Sequence, residues 1–318
     1  MPGHPFPLVT LIMPVWMPHH AWLRAAVRSA LAQQRCRLEL IVVDDGNPGD
    51  VTELLRDIRD TRMRVVRIEH AGPNAARNAG LAGAQGDWIR FIDADDIIVP
   101  DSTCHLGTFM NGDGMVAYGA TAVTDEELRV RRVISTTLSG HIAADCLLGR
   151  FHVRLPALLF PRAVVETAGP WDPAFRVSGD WDFVLRTVEH ASVAGDDRVV
   201  CYYRRHSGSV TTTADISMGE IARARIINRY FERHPHEHGT ALERRAWGAL
   251  HWDRGMAYWR AGARRRALVR LSRALLVTPA PAAGALARVM GRRPPRGAEP
   301  GPAARRDPCS PKQGPGSA

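Results

Sequence analysis

Short apolar runs alternate with stretches of helical periodicity through the first hundred residues of the chain. Residues 8–13 form an apolar run that predicts a first buried strand, ended by Pro14. Leu23, Val27, Ala30 and Leu31 recur at helical spacing and predict an amphipathic helix over roughly 20–34. Residues 38–43 predict a second strand, running into Asp44, Asp45 and Gly46. Asp50 with Glu53 predicts a capping box, heading a helix whose apolar face is Val51, Leu54, Leu55 and Ile58. A third strand is predicted over 63–68. Asn74 is placed as the cap of a helix over 75–84, and residues 88–92 predict a fourth strand. Four alternations of strand and helix predict an α/β fold with a parallel, doubly wound sheet. In such sheets ligands bind beyond the carboxyl ends of the strands. Pro14 with Val15, Asp45, and the run from Asp93 to Asp96 all fall there.

Past Pro100 the alternation breaks down. Asp101 caps a predicted short helix, strands are expected over 115–123, 129–134, 155–160 and 199–203, and a helix over 142–148. Residues 169–175 read as loop. Gly179 opens a helix with Trp181, Val184, Leu185 and Val188 on one face and Asp180 at its start. Three helices are expected over 221–231, 241–260 and 264–277, the last two joined at Ala261 and Gly262. From Pro279 the chain is Pro, Gly, Ala and Arg with almost no large apolar residue, the composition of a disordered end.

Composition changes this picture only in places. The chain of 318 residues carries a formal charge of +9. From Arg264 onward eleven Arg and one Lys face only Glu299 and Asp307, a balance of +10, so the remainder is near −1. A nucleic-acid-binding core carries its basic surface on the fold itself, and here that surface sits on an appendage. No nucleic-acid partner is therefore expected. The appendage suits contact with an anionic membrane beside a lipid-linked substrate. No apolar run approaches the length of a membrane span, and the first residues lack a signal-peptide pattern. Cytoplasmic residence is expected, peripheral at most to the inner membrane face. Five scattered cysteines without a Cys-x-x-Cys pair predict free thiols and no zinc site.

The chemistry concentrates after the fourth predicted strand, in Asp93, Asp95 and Asp96. In extended backbone, side chains two apart face one way, so Asp93 and Asp95 are expected on one side. Carboxylates held together call for a positive charge between them, and a hard divalent cation is the natural guest. The absence of Gly-x-Gly-x-x-Gly after the first strand excludes a dinucleotide-dependent oxidoreductase, and the lack of Gly-Lys-Ser/Thr excludes a P-loop enzyme.

Four ordered blocks, across roughly 7–212, resemble the family 2 glycosyltransferases of the GT-A fold. They are residues 9–16, residues 41–46, residues 72–80 followed by 91–96, and residues 179–183. Two departures stand out: the Asn usual after the first strand is absent, and the Glu commonly preceding Asp180 is Gly179. The resemblance implies a GT-A (Rossmann-like) sheet, mostly parallel and flanked by helices, over 1–212. A nucleotide-binding half over about 7–100 and an acceptor half over about 101–212 follow from it, with a helical extension over 213–278 and a tail over 279–318.

It further implies a hexosyltransferase-type enzyme of cell-surface polysaccharide biosynthesis. Such an enzyme moves a sugar, with inversion, from a nucleotide-diphosphate donor, a UDP-sugar first, to a hydroxyl of a saccharide or lipid-linked acceptor. Donor-binding roles fall on Pro14, Val15, Asp45 (nucleobase), Arg77, Asp93 and Ala94. Mn²⁺ or Mg²⁺ falls to Asp95, with Asp93 and His206 as further ligands. Asp180 takes the part of general base, and an ordinary helix cap is its plain alternative. Asp182 is expected to be structural. Trp171 and Trp181 are candidates for stacking on sugars or for the core. The competing reading is a degenerate transferase that acts as a binding or scaffold module through its helical extension.

Overall fold

The computed structural model describes residues 7–110, 114–208 and 215–278. The basic tail from Pro279, and with it the expectation of disorder, lies outside them. Strands β1 (Leu8–Val15), β2 (Arg37–Asp44), β3 (Met63–Arg67) and β4 (Trp88–Phe91) form a parallel block in the order β3-β2-β1-β4. Helices α1 (His20–Leu31) and α3 (Pro73–Gly83) cross over between them, with the single turn α2 (Val51–Leu54) after β2. β1 and β2 are buried almost end to end, as strands covered on both faces must be. Leu11, Met13 and Val15 pack toward Leu23, Ala26, Val27 and Ala30 of α1. Ile12 points the other way, against α3, where a Cβ at Gly80 would fall 2.4 Å from the Ile12 Cγ2.

β4 leads through the Asp93–Asp96 turn into β5 (Ile97–Ile98), followed by α4 (Ser102–Gly107). The second half of the sheet is mixed. β8 (Leu158–Pro161) runs antiparallel to both β4 and β6 (Met115–Thr124). β9 (Ser192–Arg204) runs parallel to β6 and antiparallel to β5, and β7 (Val130–Ile134) forms a hairpin on β6. Helices α5 (Ala143–Leu147), α6 (Arg162–Ala168) and α7 (Gly179–Val188) cover one face. Helix α8 (Ile216–Arg233) then packs Ile226, Ile227, Tyr230 and Phe231 into the same core as Phe91, Phe160 and Phe183. Helices α9 (Ala241–Arg260) and α10 (Arg264–Val277) close the chain as a hairpin.

Several local expectations are corrected. β1 continues through Pro14 instead of stopping at it. Ile12 offers its carbonyl to Ile92, so Pro14, two residues on, faces the same edge beyond the last β4 pair, where no N–H is needed. The Asp50–Glu53 capping box does not form. Asp50 accepts from the Thr52 N–H while Glu53 turns to Arg56, and the helix lasts one turn. Asn74 is not the cap of α3; Gly72 is, and Pro73 starts the helix. The run 155–160 splits into a 3₁₀ turn over Leu155–Ala157 and the strand β8, because Pro156 supplies no N–H for a ladder. β9 begins at Ser192, seven residues earlier than its apolar signal, since β6 supplies the pairing that the polar residues Asp196 and Asp197 conceal.

Candidate active site

The acidic turn after β4 is held from three sides. From α3, the Arg77 Nη2 donates to the Asp93 Oδ1 at 2.8 Å, and its Nη1 donates to the Asn74 Oδ1 at 3.1 Å. The Arg77 guanidinium also lies 4.7 Å over the Trp171 ring. From the chain after β9, the His206 Nε2 lies 2.9 Å from the Asp95 Oδ2. The end of β9 supplies the third side, where the Arg204 N–H donates to the Asp96 Oδ1 at 2.9 Å and the Arg204 Nε donates to the Asp95 carbonyl. Asp93 and Asp95 therefore meet different partners, while Asp96 is fully buried and its Oδ2 has no donor among the described residues.

Electrostatics ties this turn to α7. Desolvation raises the Asp93 carboxyl above its ordinary range; Arg77 opposes the rise, and the charges of Asp95 and Asp180 add to it. Asp96 is raised well above the ordinary range, first by burial and then by Asp95 and Asp93. The cluster is short of positive charge. A divalent cation fits that deficit, with Asp95 and His206 as the protein ligands at hand. Among the described residues no three His, Cys, Asp or Glu side chains converge as a preformed metal cage. An ion held there would need further ligands from substrate oxygens and water.

Asp180 sits in the first turn of α7, exposed, with its Oδ1 accepting from the Trp181 N–H at 2.9 Å. The residue that starts this helix, Ser178, holds a left-handed φ of 59°. Asp182, two residues on, is buried and takes both Nε and Nη2 of Arg186 at 2.9 and 2.8 Å, the structural part expected of it. Trp171 is core: it stacks on Phe183 at 4.0 Å and is clamped by Asn78 through both of its backbone polar groups. Trp181 is half-buried, donating its indole N–H to the Cys146 carbonyl while facing a cavity shared with Asp180.

At the ends of β1 and β2 lies a second cluster. Asp45 is buried and accepts from the Ala71 and Gly72 N–H groups at 2.9 and 3.0 Å, with the His70 Nδ1 3.0 Å from its Oδ2. Val15 is buried and accepts from the Asp45 N–H, and Pro14 lies beside it in β1. Trp16 and His70 in this cluster, and Arg204 at the acidic turn, carry no role in the sequence reading. Trp16 is 44% exposed and stacks on His70 at 3.7 Å, a flat aromatic surface beside Asp45. The signal was an exposed aromatic directly after the first strand. Arg204 is a further omission; its role rests on a pairing 108 residues apart, beyond any local pattern.

A parallel βαβ block, joined through an acidic turn to a mixed half that carries a second carboxylate, is the GT-A class of nucleotide-sugar fold. Residues 1–349 of S. aureus TarS, solved in complex with UDP-GlcNAc, share it at a TM-score of 0.55 and 14% identity, over 84% of this chain and 91% of that one. Residues 10–161 match the family described as glycosyl transferase family 2. An uncharacterized glycosyltransferase of Haemophilus influenzae is 36% identical over 135 residues, 41% of this chain and 54% of that protein. The chain thus spans about half the length of that relative. The succinoglycan biosynthesis protein ExoO of Rhizobium meliloti is 38% identical over 96 residues, 30% of this chain and 27% of its own. A Rickettsia prowazekii glycosyltransferase is 26% identical over 215 residues, 65% of this chain and 67% of that one. No helix among the described residues is long and apolar enough to cross a membrane.

Proposed function

We propose that the chain transfers a hexose from a nucleotide-diphosphate donor, a UDP-sugar first, to a hydroxyl of a saccharide or lipid-linked acceptor, with inversion at the anomeric carbon. The observation that carries this reading is the acidic turn at the end of β4, where Arg77 of α3 holds Asp93 and His206 meets Asp95, with Asp180 of α7 near enough for its charge to act on Asp93. Asp45, with the Trp16–His70 surface beside it, receives the nucleobase, and the ends of β1 at Pro14 and Val15 wall that pocket. Arg77 fixes Asp93 and, with Ala94 of the turn, lies along the donor. Asp180 accepts the acceptor hydroxyl proton as the oxygen attacks C1, and the nucleoside diphosphate departs with the electron pair of the broken bond. Asp95 and His206, with Asp93, would hold a divalent ion, Mn²⁺ or Mg²⁺, which would supply Lewis-acid stabilisation of the leaving diphosphate. The ExoO relative places a similar domain in polysaccharide synthesis, and the TarS complex shows a UDP-sugar on the same fold. Incubating the full chain with a panel of nucleotide-sugars and Mn²⁺, and following nucleoside-diphosphate release, tests the reading. No release from any donor overturns it.

A further inference from the structure

Between α7 and the helical extension lies a cavity of about 690 Å³ with Asp180 in its wall. Both halves of the molecule build it. Trp181 comes from α7 and Trp252 from α9, both half-buried, presenting two aromatic surfaces from elements 71 positions apart in the chain. Indole faces of this kind stack on the apolar faces of sugar rings. Arg223 of α8 donates to the Asp253 Oδ2 at 2.5 Å, and Arg254 donates to the same oxygen at 2.6 Å. Two guanidinium groups thus share one carboxylate on the extension's side of the cavity.

The opposite side adds more positive charge. Arg154 stacks at 4.8 Å over the Tyr203 ring, and its Nε is buried with no acceptor among the described residues. Arg132 of β7 is exposed, lies on the same strand face as Ile134, and lines this cavity with it; Arg132 also lines a second cavity whose wall includes His206. Among the described residues neither Arg132 nor Arg154 has a carboxylate partner within ion-pair distance, whereas the adjoining Arg129 and Arg131 are paired with Asp125. His152, in the same wall, is held below the ordinary histidine range, first by burial and then by Arg223, with Asp253 opposing and Arg154 adding to the fall. Guanidinium groups left free in a cavity are arranged for carboxylate or phosphate oxygens, which they take through two parallel hydrogen bonds.

We infer that this cavity is the acceptor site, that the helical extension supplies one of its walls through Trp252, and that the acceptor is a saccharide bearing an anionic group met by Arg132 and Arg154. The inference rests on the reading of Asp180 as the base and narrows its acceptor to an acidic one. The anion is a carboxylate, as in a uronic acid, or a phosphodiester.

Titration calorimetry on the full chain, with trigalacturonate, a glycerol-phosphate oligomer and uncharged galactotriose, tests it. One of the two acidic oligomers binds at least about tenfold tighter than galactotriose, the gain of a single charge-assisted pair, and loses that margin as salt rises. Which acid binds identifies the anion. R132Q with R154Q removes the margin and leaves galactotriose binding unchanged, and W252A weakens all three oligomers, with W252F restoring them. Equal affinity for charged and uncharged oligomers, no binding of either acid, or indifference to the arginine replacements overturns the inference. Nucleoside-diphosphate release is measured separately. Release without preference for acid removes this inference alone, whereas binding of acid without release removes the transferase reading.

Discussion

Gly179 and Asn74 meet so closely that a Cβ on the glycine would fall 2.5 Å from the Asn74 Nδ2. That amide cannot retreat cheaply, because it donates to the carbonyls of Asp172 and Phe175 at 2.9 and 3.0 Å while its Oδ1 receives Arg77. The Gly179 departure from the family pattern therefore coincides with a contact that docks α7 directly on α3. Gly179→Glu is expected to lower stability by about 1–3 kcal/mol, the range for overpacking. Urea midpoints measure the loss, and an unchanged midpoint rejects the contact as a constraint.

Asp180→Asn keeps the shape of the side chain and removes its basicity. Donor affinity is expected to hold while turnover falls about 10²–10⁴-fold. Single-turnover kinetics beside donor titration separates the two, and an undiminished rate rules out Asp180 as the base.

Chelation should abolish donor turnover and Mn²⁺ or Mg²⁺ should restore it. His206→Ala is expected to raise the metal concentration needed for half-activation, because it leaves Asp95 as the direct protein ligand. Full activity in excess chelator would falsify the metal role.

Asp96 makes stability depend on pH with a definite sign. Its carboxyl titrates well above the ordinary range in the folded chain, so between the unfolded and folded values the native state holds the extra proton. Its contribution is present below the unfolded value, near pH 4, and is lost as pH rises toward the folded one. Asp96→Asn is therefore expected to raise the melting temperature at pH 7–8 and to change it little near pH 4. A lower melting temperature for the variant at pH 8 contradicts this account.

The helices after β9 share the main core. Phe231 is 1% exposed and packs with the aromatic residues around Phe183. Phe231→Ala is expected to lower unfolding free energy by about 3–5 kcal/mol, the usual cost of a deleted buried ring. Calorimetry should show one shifted transition; loss of only a separate, early transition would mean the extension unfolds by itself.

The parallel block was legible because most of its strands are short apolar runs bounded by Gly, Pro or Asp, and two of its three crossovers carry a helix of clear period, the one after β2 shrinking to a single turn. The mixed half was less so. β9 conceals its first residues, which are strand because β6 pairs with Ser192 to Gly195, while the polar Asp196 and Asp197 that follow fall at a shift in that register. Arg90 makes the same point inside β4. It is wholly buried, with its charge held by Pro156 and Val200 carbonyls and by the Ser102 and Thr103 hydroxyls, and burial lowers its pKa to about 10. No carboxylate partner announced it.

By itself the sequence determined which residue types crowd each strand end, and so the acidic turn, the Asp45 loop and Asp180 as candidates. Local pattern carries that much because hydrophobic period and turn chemistry act over a few residues. Only the tertiary structure decided which of the carboxylates faces which partner. Asp95 received His206 and Asp96 received Arg204 from more than a hundred residues away, through a strand pairing that no local period encodes. The cavity at Asp180 was settled in the same way, since Trp252 and Arg223 reach it only once α8 and α9 have packed.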